Sequence, residues 1–513
     1  MDAQFPITLA TTIQAQPLGA DQLEQHLRLC DQLVHGTLDE VAATLDVLVR
    51  FGPFDERVQR TVVDPLLARV VVWQRRNRRA VPEEVRRQII LLYRNLEHGS
   101  PCRWRLLQWL AQAAASEDLR AFASLVVDDP PRDPHAAALA FTPLFQQRDY
   151  DAAVLFPQLL DALEHPSVAA PLLDLCNYLV RTSMVARHPW CDRADTLIKL
   201  LGSLAQQLAC WEESPDARTE SHEERSRTID ACVALMVGLC DAVALIGNRE
   251  AVGKLNQALQ LAHRRIQTAA AAALARFGEP HGVDALTRLA SEPVARLRVL
   301  ACAEELGLTD KIDPKFATAS AIAEAHVALE LAQPTHFGVP PSCLEVIDTR
   351  SLYWPGFEQP VECYLVQYTY RLQSAHYTNI AIAGPLVHTF VADLGDLPPE
   401  DIYAAYAGWH VEHESLRETP IAALTAAHRV EVARLERRLR DAGYGNVESV
   451  FLGHFFGERV LVAAATLENA RGTAIVDQAD IEWHPQRTRK YPIGPHEAYC
   501  IYKGRRLLRS FNA

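Results

Sequence analysis

The chain has 513 residues, a formal net charge of −13, 49% hydrophobic residues and 22% charged residues. This length exceeds what one hydrophobic core normally supports, so we expect two or three domains. The ordinary composition excludes a largely disordered chain. The acidic balance argues against wholesale wrapping of nucleic acid. Arginine outnumbers lysine 45 to 6, which we interpret as a GC-rich, bacterial coding bias rather than a functional feature.

The N-terminal sequence and the apolar segments bear on location in the cell. The first residues, MDAQFPITLATTIQAQPLG, lack a basic stretch and a long apolar run, so no signal peptide is predicted. No segment approaches the roughly 20 uninterrupted apolar residues of a membrane span, and we interpret the most apolar one, Ala231 to Ile246, as a buried helix. The 11 cysteines are scattered without a CxxC pair. We therefore predict a cytoplasmic protein with no membrane span.

We predict an N-terminal extension over 1–19. After it, residues 20–316 have the pattern of consecutive helices and are predicted to form one helical domain. A helix over 82–99 is predicted by a proline at its start, acidic residues in its first turn and Gly99 after its end. Its apolar residues recur at helical spacing and predict one buried face. That face consists of Val85, Ile89, Leu92 and Leu96.

Residues 246–307 contain two copies of a unit made of two short amphipathic helices. Val252 and Leu255 of the first copy match Val283 and Leu286 of the second, 31 residues later. A glycine ends each helix pair, because the residue after a helix often needs a left-handed backbone. These glycines are Gly247, Gly278 and Gly307, spaced 31 and then 29 residues apart. One such pair cannot bury its apolar face alone, so the units are expected to stack.

These units resemble HEAT repeats of the short kind found in phycobilisome-lyase-like proteins. The resemblance rests on the valine and leucines of the first helix, the Arg-Ile or Val-Ala-Arg element and alanines of the second, and the closing glycine. A weaker echo at 164–179 extends it to about residues 150–307. The resemblance implies a superhelical solenoid that serves binding, and it implies no reaction.

Two segments interrupt the helical pattern. Residues 128–134 contain three prolines and must form a loop, because prolines cannot occupy a helix interior. Residues 211–226 form a polar insertion between helices. In a solenoid, such insertions collect on the rims and sometimes bind partners.

The composition changes after residue 340. Of the 14 tyrosines, 11 lie beyond residue 350. A helix at about 317–332 and a linker, together 317–340, are predicted to connect the solenoid to a second domain over 341–513. In that domain we predict an α+β fold with helices on one side of a mostly antiparallel sheet. The predicted helices are 398–417 and 421–442. The predicted strands are 361–371, 379–383, 449–456, 459–466, 472–483 and 497–503.

A metal site is one alternative for the second domain. His410, His413 and Glu414 would share a helix face at spacings that zinc sites use. The order is not HExxH, and no third protein ligand is evident from elsewhere in the chain. His413 also fits a stripe at helical spacing, so we favour a histidine at the edge of the core.

Catalytic signatures are otherwise missing from the sequence. No GxSxG, Walker A or Rossmann GxGxxG pattern occurs. We predict no catalytic residue and no cofactor, and we regard an enzyme as less favoured. The enzyme alternative is a site in the second domain around His410 and His413.

Positive charge is concentrated over residues 50–105, which contain 13 arginines and only six acidic residues. The centre is the segment 73–79. One interpretation is a solvent-exposed face whose positive charge is balanced by acidic residues of neighbouring repeats. Another is a binding site for phosphates or for an acidic partner. The candidate residues are Arg75, Arg76, Arg78, Arg79, Arg86 and Arg87.

The sequence therefore favours a non-enzymatic scaffold whose solenoid holds a protein partner, with a second recognition surface in the α+β domain. Nucleic-acid binding through the arginines of 69–94 is the alternative. It is not favoured, because the net charge is negative.

Overall fold

The computed structural model describes residues 4–14, 19–100, 102–213, 222–372, 375–486 and 491–512. By its internal contacts the chain forms two compact units, Met1–Leu286 and Thr287–Ala513. Each unit has its own core, and each is described by itself.

The first unit consists of helices joined by turns and by a few longer segments that contain short 3-10 helices. A π-helical stretch, Gln59–Val63, lies between its fourth and fifth helices. The helices are α1 Gln4–Gln14, α2 Ala20–Leu33, α3 Leu38–Phe51, α4 Glu56–Val58, α5 Asp64–Asn77, α6 Glu83–Asn95, α7 Cys102–Ala113, α8 Ser116–Asp128, α9 Pro134–Gln146, α10 Pro166–Arg181, α11 Ala194–Glu213, α12 His222–Ile246, α13 Val252–Leu259 and α14 Arg264–Arg276. Helix α15, Pro280–Leu289, contains the division between the units.

Several sequence expectations are confirmed in this unit. The loop over 128–134 lies between the ends of α8 and α9. Helix α6 occupies the predicted segment, and all four residues of its predicted face are buried. One continuous apolar core runs from Leu9 of α1 to Leu274 of α14. The predicted extension thus contains a helix that contributes to this core.

The helix ends of the 246–307 repeat also agree with the prediction from the sequence. Gly247, Gly278 and Gly307 have φ angles of 80°, 79° and 67°. Residues other than glycine rarely adopt this left-handed region. A side chain at these positions would strain the backbone, which explains why glycine ends each unit.

Upstream of α11, buried side chains connect successive helix pairs through a recurring set of hydrogen bonds. In each bond a ring or amide nitrogen contacts an oxygen 35 to 38 residues away, a longer period than the 31 and 29 residues of the 246–307 repeat. The contacts join His26 to Val62, Trp73 to Gly36, Trp109 to Gln74, Gln147 to Ala111 and His165 to Val127. Hydrogen bonding satisfies these buried polar groups and fixes the register of the stack.

Helix α12 is longer than its sequence indicated. Within it, Glu224–Ile246 is long and apolar enough to cross a membrane by length and composition alone. The sequence pattern indicated no segment of that length here. Half of its most apolar stretch is buried inside the structure, where α12 packs on α10, α11 and α14. Most of the predicted rim insertion, 214–221, lies outside the described residues.

The second unit is the predicted α+β fold, with antiparallel pairing throughout the strands that the structure describes. Its described residues form two sheets, whereas the sequence suggested one: one sheet has the order β1-β2-β3-β4 and the other β5-β6-β7-β8-β9. The strands are β1 Cys343–Leu352, β2 Val361–Leu372, β3 Ala375–Ala383, β4 His388–Thr389, β5 Leu416–Pro420, β6 Gly445–Phe455, β7 Glu458–Leu467, β8 Ala470–Val476 and β9 Ile481–Pro485. The helices are α16 Pro293–Leu306, α17 Ala319–Leu331, α18 Pro399–His410, α19 Ala426–Asp441 and α20 Pro495–Phe511.

These elements form six layers. Helix α17 packs on one face of the first sheet, against Tyr364, Val366 and Tyr368, and α18 packs on the other face. Helix α20 packs on one face of the second sheet and α19 on the other. Helices α18 and α20 contact each other in the middle. Each sheet is therefore covered on both faces, and the helix predicted at 317–332 belongs to the packing of the first sheet.

The unit is built from two similar halves, α17-β1-β2-β3-β4-α18 and α19-β6-β7-β8-β9-α20. Four residues of α18 recur in α20 with a spacing of 96 residues, and two of them relate Pro399 to Pro495 and Gly408 to Gly504. The intervening tyrosine pairs are Tyr403 with Tyr499 and Tyr406 with Tyr502. A Cβ atom at Gly408 would overlap the carbonyl oxygen of Cys500, and one at Gly504 would overlap that of Ala404. This reciprocal contact relates the halves by an approximate twofold axis.

Some predicted elements in this unit are wrong. The helix predicted over 398–417 ends at His410, and Leu416–Pro420 instead pairs with β6. The strand predicted at 497–503 is part of helix α20. The strand predicted at 472–483 is two strands, β8 and β9, joined by a turn at Asp477. In each case, pairing or packing with distant residues decides the local structure.

Candidate functional site

The arginines predicted at 75–79 lie at the end of α5 and in the loop before α6. Arg75 and Arg76 occupy the last helical turn, where cations interact favourably with the helix dipole. Arg78 follows the helix with a left-handed φ of 44°. All four side chains, including that of Arg79, are exposed. We call Arg75, Arg76, Arg78 and Arg79 the arginine edge.

Buried polar contacts hold this loop in place. The side chain of Gln74 donates to the carbonyl of Arg79 at 2.6 Å and accepts from the indole of Trp109 at 3.1 Å. The amide of Val81 donates to the Asp118 carboxylate at 3.0 Å. The arginine edge is thus displayed on a fixed backbone, which lowers the entropic cost of binding a partner.

Few acidic groups oppose the arginine edge. Arg78 lies 3.8 Å from Asp149 in an exposed pair, and Arg76 contacts His35 at 3.4 Å. Within the described part of the chain, Arg75 and Arg79 have no ion-pair partner. An exposed pair such as that of Arg78 contributes little to stability, so most of this charge is available to a ligand.

The two remaining arginine candidates have structural contacts instead. Arg86 pairs at 2.8 Å with Asp118, whose side chain is fully buried. Burial raises the pKa of Asp118, and the Val81 amide and Arg86 oppose that shift. Arg87 pairs with Glu83 and Glu84 of its own helix. Arg86 and Arg87 therefore do not add to the arginine edge.

The candidate metal ligands of the second unit do not share a helix. Helix α18 ends at His410, whose Nδ1 accepts from the indole of Trp354 at 3.2 Å. His413 lies in the turn before β5, where its Nδ1 accepts from the Ser415 amide at 3.0 Å. Glu414 is exposed. Across the described residues, no group of three His, Cys, Asp or Glu side chains is placed to hold a metal ion.

An aromatic platform at the end of α18 was not anticipated from the sequence. The ring of His388 stacks on Trp409 with centroids 3.7 Å apart and planes 7° apart, and Phe390 and Tyr406 flank the pair. Burial lowers the pKa of His388 to about 4, with a further lowering from His336 and a partial offset from Glu330. The histidine is therefore neutral near pH 7, while Trp409 is 45% exposed.

The twofold repeat shows what is unusual about this platform. Trp409 occupies in α18 the position of Arg505 in α20. Arg505 is held by Asp401 at 2.7 Å and by Glu482 of the edge strand β9 at 2.9 Å. Trp409 instead stacks on His388 of the edge strand β4. The 96-residue repeat was the signal that would have drawn attention to Trp409 in the sequence.

Comparison with known proteins agrees with the repeat pattern. A family model for HEAT repeats matches residues 230–307, which include α16 of the second unit, and no family model matches the α+β region that follows. The match covers the clearest repeats and does not reach the weaker units upstream of residue 230. A search of curated proteins gives no match to this chain. The matched repeat indicates a helical scaffold of a kind that often mediates protein interactions.

Proposed function

We propose that this chain is a non-enzymatic scaffold whose helical unit binds an acidic segment of a protein partner through the arginine edge. The observation that carries the proposal is the display of four exposed arginines on one fixed turn, three of them without an acidic ion-pair partner among the described residues. The HEAT-repeat match supports a binding role for the helices.

The physical basis is charge complementarity. Guanidinium groups bind carboxylates through paired hydrogen bonds in a fixed geometry. Surface charges of one sign also accelerate the encounter with a partner of opposite charge. Because the whole chain carries a net charge of −13, this edge is a local exception that can select an acidic segment.

Nucleic acid is the second candidate, and the contacts of the arginines make it less suitable. Along 69–94, Arg69 pairs with Asp31 at 2.6 Å, Arg86 with Asp118 and Arg87 with Glu83. Arg86 is held by a buried carboxylate, and each of the other two has a carboxylate beside it that would repel a phosphate. Nucleic-acid binding normally requires many phosphate contacts along the duplex.

The proposal is tested by titrating the full chain with a fluorescent oligoglutamate peptide, a duplex and a single-stranded oligonucleotide at low salt. We expect the peptide to bind, and the double variant Arg75→Gln/Arg79→Gln to bind it about three- to tenfold more weakly, since an exposed ion pair contributes about 0.2–1 kcal/mol.

The matched control is Arg120→Gln/Arg193→Gln, which removes two exposed positive charges from the same unit. Its peptide affinity is expected to equal that of the natural chain. Equal losses in the two double variants would show a general charge effect and overturn the assignment to the arginine edge. Tighter binding of either oligonucleotide than of the peptide would favour the nucleic-acid alternative.

A further inference from the structure

Three basic side chains form a row across the second sheet. Arg417 of β5 lies directly opposite His454 of β6, and His454 lies directly opposite Arg459 of β7. Side chains at paired positions on neighbouring antiparallel strands project from the same face and lie close together. This face is the one that α19 covers through Leu452 and Leu461.

The first turn of α19 approaches the same row. The ring of His428 lies 5.4 Å from the ring of His454, and the Thr419 hydroxyl lies 3.3 Å from His454 Nε2. The N-terminal amides of a helix carry partial positive charge, and in α19 the Thr425 hydroxyl accepts from one of them, that of His428, at 3.3 Å. The row, His428 and this helix end therefore surround one position with donors and positive charge. We call this set the basic row.

The nearby carboxylates are engaged elsewhere. Glu418 pairs with His496 at 2.8 Å, Glu431 pairs with Arg434 at 2.6 Å, and Glu458 pairs with Arg506. In the ranges that the structure covers, no ion pair involves Arg417, Arg459 or His454.

Two further observations agree with a site for an anion. His428 Nδ1 is buried and has no hydrogen-bond partner among the described residues. The pKa of His454 is lowered first by burial and then by Arg417, His428 and Arg459, and no carboxylate opposes that shift.

Near neutral pH the row consists of two guanidinium groups on either side of a neutral imidazole, because the pKa of His454 is lowered. An oxyanion would accept hydrogen bonds from both guanidinium groups and from the imidazoles, and would balance the two positive charges. We propose that the basic row is a binding site for a phosphate group, presented as a phosphate monoester or a diphosphate. This site lies in the α+β unit and is independent of the arginine edge.

Calorimetric titration of the full chain with inorganic phosphate and with inorganic diphosphate tests the site. We expect saturable binding, and a loss of tenfold or more in affinity for Arg417→Gln and for Arg459→Gln. The matched control is Arg440→Gln, which removes one charge at the opposite end of α19, where Arg440 pairs with Glu436 at 2.9 Å. It should bind like the natural chain.

Thermal unfolding separates lost binding from damaged folding. Without phosphate, Arg417→Gln should unfold at the same or a higher temperature than the natural chain, since Arg417 has no ion-pair partner to lose among the described residues. With phosphate, only the natural chain and Arg440→Gln should gain stability.

Imidazole resonances of labelled protein, assigned with His454→Asn, give a second measurement. Phosphate should raise the pKa of His454, because it offsets the charges of Arg417, Arg459 and His428 around the ring.

Three results would overturn the inference. One is the absence of saturable binding of either anion at low salt. Another is unchanged affinity in both arginine variants. A third is equal affinity for acetate, which would assign the site to carboxylates instead of phosphate.

Discussion

At the scale of single residues, His188 links the stability of the first unit to pH. Its ring accepts from the Trp190 amide and contacts Asn177 Oδ1 at 3.0 Å, and Asn177 in turn donates to the carbonyl of Gly238 in α12. Burial lowers the pKa of His188 to about 4 from its ordinary value of 6.5. The ring is therefore neutral in the folded protein, where it takes part in the hydrogen bonds that join α10 to α12.

The sign of the pH effect follows from these values. Below pH 6.5 the unfolded chain takes up a proton that the folded ring resists, so stability is fully present above 6.5 and declines toward pH 4. The loss is on the order of 3 kcal/mol at 1.36 kcal/mol per pKa unit. We expect the melting temperature to fall between about pH 7 and pH 5, and to fall less in His188→Gln. An identical fall in both proteins would contradict this assignment.

At the scale of elements, the crossing of α18 and α20 depends on two glycines. We expect Gly408→Ala to cost about 3 kcal/mol or more, because the added methyl group would overlap the Cys500 carbonyl and force the helices apart. Gly504→Ala should behave alike, since it meets the Ala404 carbonyl in the same way. Chemical unfolding followed by tyrosine and tryptophan fluorescence measures both.

The control for this substitution is Gly253→Ala in α13. A Cβ there meets nothing within 4 Å, so alanine should stabilise the helix by up to about 1 kcal/mol. Destabilisation of all three variants to the same degree would show that helix packing is not the cause.

Helical elements with one apolar face were predictable, and α20 shows why others were not. Residues 498–502 are all apolar or aromatic, as in a buried strand, and all five are buried in a helix between α18 and the second sheet. This stretch of the helix has no polar side chain to reveal a helical period. The start signals were nonetheless present, since Pro495 occupies the first turn and Glu497 accepts from the Gly494 amide at 2.9 Å.

The candidate sites were predictable to different degrees. The arginine edge follows from a run of charges in sequence, because neighbours in one turn stay neighbours in space. The basic row joins three strands and a helix, so its residues at 417, 428, 454 and 459 come together only through the sheet register. The end of α18 at His410 likewise depends on the pairing of β5 with β6, which local sequence does not specify.

At the scale of the whole molecule, two separate cores predict two unfolding transitions. Leu106 is fully buried in the core of the helical unit, and Leu461 is fully buried in the α+β unit. Each change to alanine should cost about 2–5 kcal/mol through the lost contacts and the cavity. We expect each variant to shift a different transition in differential scanning calorimetry. One transition shifted equally by both would contradict independent units.

The reciprocal glycine crossing has an evolutionary consequence. Helix residues repeated 96 positions apart and a reciprocal helix crossing are the expected products of duplication and fusion of a gene whose product paired with a copy of itself through this helix. In such a pair any change at one helix position occurs in both copies, whereas in a fused chain the two copies change independently. Here they differ, because Arg505 is clamped between Asp401 and Glu482 and Trp409, at the matching position, is 45% exposed.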